Sequence, residues 1–138
     1  MHDVVRDRRR GCKARALDTE QIDQAGEPVD FGSIDAEILR RLSATIASRR
    51  DAGAKSSYVA SLFAKGHDAV LRKVAEESTE TLLASKDGDK LQIVRETADL
   101  WFHCMVLLAW HGLTGDDVLA ELQRREGISG IDEKAARK

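Results

Sequence analysis

The sequence predicts an all-α protein that folds as a compact bundle of about four to five helices. Residues that favour helices, above all Ala, Leu, Glu, Arg and Lys, are abundant, whereas proline occurs once and aromatic residues make up only 4%. Apolar residues recur with the helical period from about residue 33 onward. With 138 residues, the chain is long enough for one hydrophobic core but short for two ordinary domains.

The chain divides into three predicted parts. Residues 1–32 form a basic extension with an arginine triplet at 8–10 and few large apolar side chains, so we expect it to be disordered and assign it no function. Residues 33–127 form the helical domain, and residues 128–138 form a charged C-terminal tail.

Two helices are predicted in the first half of the domain. The first helix spans about residues 33–53, and its apolar stripe consists of Ile34, Ile38, Leu42 and Ile46. Ser56 or Ser57 caps a second, short helix, which ends at Gly66 because glycine commonly terminates helices.

Three more helices follow. The third spans about residues 67–85, and a turn around Gly88 leads into the fourth, over about residues 91–111. After Ala98 the fourth helix is apolar around nearly its whole circumference, which predicts a central, buried helix. Thr114 caps the last helix, since two aspartates follow in its first turn.

Composition excludes several classes of function. The net charge of -2 provides no basic field for nucleic acid, and no segment approaches the ~20 apolar residues that span a bilayer. The N-terminus lacks the apolar segment of a secretory signal, so we expect a cytoplasmic protein. Cys12 and Cys104 lie far apart in the sequence and are interpreted as free thiols in a reducing compartment.

Acidic residues on the third helix depart from the usual solvated pattern. At about 100° per residue, one stripe of this helix contains Val70, Val74, Glu77 and Thr81, with Glu80 at its margin. Glu77 therefore occupies a core position. Glu76 falls away from this stripe, which places it next to the cluster or in solvent.

The fourth helix carries a matching stripe. It contains Gln92, Glu96, Asp99, His103, Val106 and Trp110. The two acids continue a face that becomes apolar one turn later, so we expect them to point inward. If the hairpin folds about Gly88, Glu80 lies opposite Glu96 and Glu77 lies opposite Asp99.

Four carboxylates gathered at a buried interface repel one another and lose hydration unless a cation neutralises them. Oxygen ligands suit Mg²⁺, with Mn²⁺ also possible, whereas Zn²⁺ prefers nitrogen and sulfur. Magnesium is commonly shared with substrate phosphates, so the pattern favours metal-assisted phosphoryl transfer to water. The alternative is a structural acid cluster bridged to Lys73 or Arg95.

The two acidic motifs resemble a known signature. Glu-Glu-x-x-Glu at 76–80 and Glu-x-x-Asp at 96–99 are similar to those of the all-α, MazG-like nucleoside triphosphate pyrophosphohydrolases. Within that superfamily the chain most resembles the phosphoribosyl-ATP pyrophosphatase family over about residues 34–125. The residues that carry this closer resemblance are Ser57-Tyr58, Leu62, Lys65-Gly66, Lys73, Ala98-Asp99-Leu100, His103 and Val106-Leu107-Leu108.

The resemblance implies hydrolysis of 1-(5-phosphoribosyl)-ATP to 1-(5-phosphoribosyl)-AMP and pyrophosphate, the second step of L-histidine biosynthesis. It also implies a homodimer and Mg²⁺. The expected metal ligands, and thus catalytic residues, are Glu77, Glu80, Glu96 and Asp99. The expected substrate-binding residues are Lys55, Ser57, Tyr58, Lys65, Lys73 and His103.

Some of these residues have a second interpretation. Ser57 is equally well explained as a helix cap and Tyr58 as a packed ring, and His103 either touches substrate, orients a carboxylate or is structural. Two other functions remain open. One is a house-cleaning hydrolase of non-standard or deoxynucleoside triphosphates, and the other is a non-enzymatic helical interaction module whose acids form salt bridges.

Overall fold

The computed structural model describes residue 35 and residues 37–137, and all of its helices lie in a unit that runs from residue 36 to residue 138. The helices are α1 (Ile38–Arg50), α2 (Tyr58–Lys65), α3 (His67–Asp87), α4 (Lys90–Trp110), α5 (Gly115–Arg125) and α6 (Gly130–Ala136). No strand occurs among these residues, which confirms the all-α prediction. The predictions for residues 1–32, Cys12 and Ile34 lie outside the described residues.

Most helix ends follow from the local sequence. The Ser57 hydroxyl caps α2 by accepting a hydrogen bond from the Ala60 backbone N–H at 3.0 Å. Gly88 ends α3 in the left-handed region, with φ of 76°, which glycine adopts without steric cost. Asp89 then caps α4 by accepting from the Gln92 N–H at 3.0 Å. The predicted α3–α4 hairpin is therefore confirmed, with a two-residue connection.

A sixth helix occupies the segment predicted as a charged tail. The Ser129 hydroxyl accepts from the Asp132 N–H at 3.1 Å, and Glu133 pairs with Arg124 of α5 at 2.8 Å. The sequence of α6 contains one large apolar residue, Ile131, so it has no apolar stripe from which a helix could be predicted. Ile131 is exposed in the structure.

The hydrophobic core lies between the first four helices. It consists of Ile46 from α1, Val59 and Leu62 from α2, Val70 from α3, and Met105, Val106 and Ala109 from α4. The long helices α3 and α4 pack against each other as an antiparallel pair. The core residues of the pair come from the N-terminal half of α3 and the C-terminal half of α4. Glu80, Glu96 and Asp99 lie in the opposite halves of these helices.

The prediction that α4 is buried around its whole circumference is wrong for one side of the helix. Trp101 is 59% exposed, and Cys104 and Leu108 are only partly buried. Together with exposed apolar residues of α5, such as Leu122, they line an apolar groove of about 300 Å³. No helix within residues 37–137 has the length and hydrophobicity needed to cross a membrane.

Candidate active site

Four carboxylates, two from α3 and two from α4, form one group that we call the acid cluster: Glu77, Glu80, Glu96 and Asp99. Carboxylate oxygens of Glu77, Glu96 and Asp99 lie within 4.8 Å of one another. Glu80 lies close enough to Glu77 and Glu96 for hydrogen bonding with both to affect its pKa. The hairpin folded about Gly88 therefore brings the two acidic motifs together, in the register that the sequence predicts.

The acid cluster extends from the core to the surface. Glu77 is 5% exposed, Glu96 is partly buried, and Glu80 and Asp99 are exposed. Asp99 is exposed, so the expectation that both α4 acids point inward is wrong for this residue. This gradient leaves an open side from which an ion or a phosphate can reach the acids.

The acids perturb one another because their charges are alike. Hydrogen bonding with Glu77 and the charge of Glu77 raise the pKa of Glu80, and Glu96 adds to the effect. Burial alone would raise the pKa of Glu77, but the hydrogen bonds from Lys73 and Glu80 outweigh it and leave the pKa lowered. The two pKa values therefore shift in opposite directions, because Glu77 has the Lys73 ammonium group beside it whereas Glu80 meets other carboxylates.

Lys73 supplies a positive charge to this group from one turn earlier on α3. Its Nζ lies 2.9 Å from Glu76 Oε2 and 3.1 Å from Glu77 Oε1, and these bonds raise the pKa of Lys73. Arg95, the other counter-ion considered, makes no ion pair with the cluster in the described part of the chain. One ammonium group therefore faces four carboxylates, and part of the negative charge stays uncompensated.

His103 lies beneath the cluster with only 5% exposure. Its Nδ1 is 2.8 Å from the backbone oxygen of Asp99 and 3.7 Å from Glu77 Oε1. Its Nε2 is 2.8 Å from the hydroxyl of Tyr58. Of the predicted substrate-binding residues, the structure therefore gathers Tyr58, Lys73 and His103 around the acids.

The other predicted substrate-binding residues lie elsewhere. Ser57 uses its hydroxyl as the cap of α2. Lys55 precedes this helix, and Lys65 ends it, about 10 Å along the axis from Tyr58. Within residues 37–137, no ion pair or hydrogen bond joins either lysine to the acid cluster, so their contact with substrate stays a prediction.

Gln92 is a contributor that the sequence argument does not single out. Its side-chain amide donates a hydrogen bond to Glu96 Oε1 from one helical turn earlier on α4. The sequence pattern could have identified this residue, because Gln92 lies on the same predicted stripe as Glu96 and Asp99. This amide restrains the Glu96 carboxylate without adding charge.

The composition of the acid cluster fits a hard divalent cation. Every candidate ligand atom is a carboxylate oxygen, and the three oxygens within 4.8 Å of one another come from both helices. The raised pKa of Glu80 reflects the concentration of negative charge that a cation would compensate. The described residues offer no cysteine or histidine ligand set around the same point, which disfavours zinc.

Comparison with known proteins gives one consistent result. The family described as Phosphoribosyl-ATP pyrophosphohydrolase matches residues 39–126, which include the whole acid cluster. A phosphoribosyl-ATP pyrophosphatase of Chromobacterium violaceum is 65% identical over 102 residues, which cover 74% of this chain and 94% of that protein. Proteins of the same name from Nitrosospira multiformis and Azoarcus sp. are 64% and 62% identical, over 75% and 76% of this chain and 86% and 98% of their own lengths.

Proposed function

The chain belongs to the phosphoribosyl-ATP pyrophosphohydrolase family, and from this premise we propose that it hydrolyses 1-(5-phosphoribosyl)-ATP to 1-(5-phosphoribosyl)-AMP and pyrophosphate. This reaction is the second step of L-histidine biosynthesis. The observation that carries the proposal is the acid cluster, whose four carboxylates meet across the α3–α4 hairpin inside the region that the family matches.

We propose that Glu77, Glu80, Glu96 and Asp99 hold Mg²⁺, and Mn²⁺ also fits their oxygen ligands. When bound, Mg²⁺ would neutralise phosphate charge and favour departure of pyrophosphate. The protein holds one of these ligands in place beforehand, because the uncharged amide of Gln92 contacts Glu96. Preorganised ligands lose little conformational entropy when a cation and substrate arrive.

Lys73 has a second role in this proposal. Its side chain is about one-third exposed at the edge of the acid cluster, and phosphate oxygens are good acceptors for its charged ammonium group. Glu76 keeps the ammonium group near the cluster through its own contact of 2.9 Å. In the reaction, a water oxygen bonds to a phosphorus atom, the anhydride P–O bond breaks, pyrophosphate leaves, and the proton lost by the water is released to solvent.

We also propose that the protein acts as a homodimer in which a second copy covers the apolar groove. Support comes from the number of large apolar side chains left exposed around the groove, including Trp101, Val118, Leu119 and Leu122. Sedimentation of the wild type should give twice the monomer mass, and Leu122→Glu should shift the mass toward one copy. A wild-type monomer at assay concentrations would contradict the dimer. The cytoplasmic location stays a prediction.

Two experiments test the proposed reaction. The purified protein should release pyrophosphate from phosphoribosyl-ATP in the presence of Mg²⁺, and release from a panel of other nucleoside triphosphates should be far slower. The chain should also rescue a histidine auxotroph that lacks this step, whereas Glu80→Gln should not. If only the panel nucleotides are hydrolysed, the chain is a house-cleaning enzyme on the same scaffold. If neither phosphoribosyl-ATP nor any other nucleotide is hydrolysed, the result favours the alternative of a non-enzymatic helical interaction module.

A further inference from the structure

Two adjacent glutamates of α3 share one ammonium group. Lys73 Nζ is 2.9 Å from Glu76 Oε2 and 3.1 Å from Glu77 Oε1, since residues three and four positions apart meet on a helix surface. The side chain of Glu77 is 7% exposed and belongs to the acid cluster, whereas that of Glu76 is 48% exposed and lies outside it. The ammonium group of Lys73 therefore bridges a buried, proposed metal ligand and a solvated acid.

The ammonium group and a divalent cation compete for Glu77. Magnesium bonds to carboxylate oxygens at about 2.1 Å, so an ion on Glu77 Oε1 would lie within about 5 Å of Lys73 Nζ. Two positive charges at this distance repel each other, and the burial of Glu77 limits the screening by water. Binding of the cation to Glu77 is therefore more favourable when the ammonium group moves away.

Lys73 can leave Glu77 without losing its counter-ion. The contact with Glu76 is the shorter of the two, and both of these side chains reach solvent. A lysine side chain is a flexible stem of four carbons, so Nζ can move while its pair with Glu76 stays intact. Glu77 has less freedom because it is buried. The exchange therefore requires movement of the exposed pair and not of the buried carboxylate.

We propose that Lys73 is a displaceable counter-ion of the acid cluster and that Glu76 is the positioning residue that receives it. A divalent cation at the acid cluster replaces the ammonium group at Glu77, and the ammonium group stays paired with Glu76. Because Glu76 acts through Lys73, it favours cation binding without contacting the cation. This inference rests on the part of the proposed function that puts a divalent cation at the acid cluster.

A double-mutant cycle on Mn²⁺ binding tests the role of Glu76. Glu76→Gln removes the carboxylate that receives Lys73, so the ammonium group stays on Glu77 and the Kd of Mn²⁺ should rise about 3- to 5-fold. In the Lys73→Met background no ammonium group competes, so Glu76→Gln should change the Kd less than about 1.5-fold. Titration calorimetry of the wild type, both single variants and the double variant gives the four constants without substrate.

Two results of this cycle would overturn the proposal. An equal rise of the Kd in both backgrounds would mean that Glu76 acts on the cation directly, as a ligand or as a nearby negative charge. An unchanged Kd in Glu76→Gln would mean that Lys73 leaves Glu77 without help from Glu76. Asp68→Asn is the control, because it removes another exposed acid of α3 and should change the Kd less than about 1.5-fold.

Thermal unfolding tests the exchange at Glu77 by a second measurement. Lys73→Met leaves the buried carboxylate without its counter-ion, so in EDTA its Tm should be lower than that of the wild type. Saturating Mg²⁺ should narrow this gap, because the cation replaces the lost charge and binds the variant more tightly. A gap of the same size in EDTA and in Mg²⁺ would show that Lys73 and the cation do not compete, which would overturn the proposal. Lys73→Gln replaces Lys73→Met if the methionine variant does not fold.

Neither measurement depends on catalysis, so the inference and the proposed reaction can fail separately. If the cycle is as expected but phosphoribosyl-ATP is not hydrolysed, the proposed reaction fails and the role of Lys73 and Glu76 stands. If phosphoribosyl-ATP is hydrolysed and the effects of the two substitutions on the Kd are additive, this inference alone is wrong. A wild type that does not bind Mn²⁺ would contradict both the proposed metal site and this inference.

Discussion

Two clusters of charged side chains within residues 37–137 differ in charge balance. Among these residues, the acid cluster sets four carboxylates against one ammonium group, that of Lys73. The second cluster, which we call the α5–α6 network, joins acids and arginines of these two helices and contains Glu121, Arg124, Arg125, Glu133 and Arg137. In the network each carboxylate meets at least two guanidinium groups, so its charges are nearly compensated.

The pKa values show the effect of this balance on the same residue type. Hydrogen bonds from Arg124 and Arg125 lower the pKa of Glu121 to about 2. Hydrogen bonding and repulsion from Glu77 raise the pKa of Glu80. Both side chains reach solvent, so their neighbours and not burial decide the direction. Acidic residues alone therefore do not mark a functional site. The feature that marks a functional site is an excess of like charge that the protein does not compensate.

The largest expected difference between the two clusters is in catalysis. Glu77→Gln removes a buried ligand of the acid cluster and should lower kcat about 10²- to 10³-fold at saturating substrate and Mg²⁺. Glu121→Gln is the matched substitution in the α5–α6 network and should change kcat less than about twofold. Steady-state pyrophosphate release measures both. Comparable losses in the two variants would remove the functional distinction between the clusters.

The next effect is stabilisation by the cation. Mg²⁺ that binds only the folded state should raise Tm, and at 100 times its Kd the stabilisation is about 2.7 kcal/mol. The Glu77→Gln/Asp99→Asn variant lacks two of the cluster's carboxylates and should show little or no shift. Thermal unfolding with Mg²⁺ and with EDTA measures this difference. An equal Mg²⁺-dependent shift in the double variant would place the cation elsewhere.

The effect of Lys73 on the Kd of the cation shows whether its ammonium group competes with the cation for Glu77 or holds Glu77 in place for it. Its Nζ occupies Glu77 Oε1 at 3.1 Å, so Lys73→Met should tighten Mn²⁺ binding by a factor on the order of 10, although hydrolysis should slow. Arg72→Met removes a neighbouring exposed charge from the same helix and should change the Mn²⁺ Kd much less. Titration calorimetry gives both constants. Weaker Mn²⁺ binding in Lys73→Met would mean that the lysine chiefly holds Glu77 in place.

The acid cluster could be predicted because it depends on local periodicity and one short turn. Helical phase identifies Glu77 as a core position, and folding about Gly88 brings Glu80 next to Glu96. The contact between Tyr58 and His103 could not be derived in this way, because it joins residues 45 apart through the packing of α2 on α4. The exposure of Trp101 could not be predicted for a related reason. The sequence of an apolar helix face does not show whether another part of the same chain packs against it.

The smallest expected effect concerns the stability of the α5–α6 network. The pKa of Glu121 falls from its usual 4.5 to about 2 on folding, so its contribution is present above the unfolded-state pKa and is lost as pH falls through the folded-state value. Glu121→Gln should therefore lower Tm slightly and constantly above pH 5, and this difference should vanish near pH 2. It should also shrink with added salt, because the ion pairs are partly exposed.

Glu80→Gln in EDTA provides the contrasting measurement at neutral pH. Removing one like charge from the acid cluster should raise Tm in the absence of a cation, whereas Glu121→Gln should lower it. Differential scanning fluorimetry of the two variants beside the wild type is sufficient for this comparison. A lower Tm for Glu80→Gln in EDTA would mean that the acids stabilise the fold by themselves, and the argument that their charge is uncompensated would then be wrong.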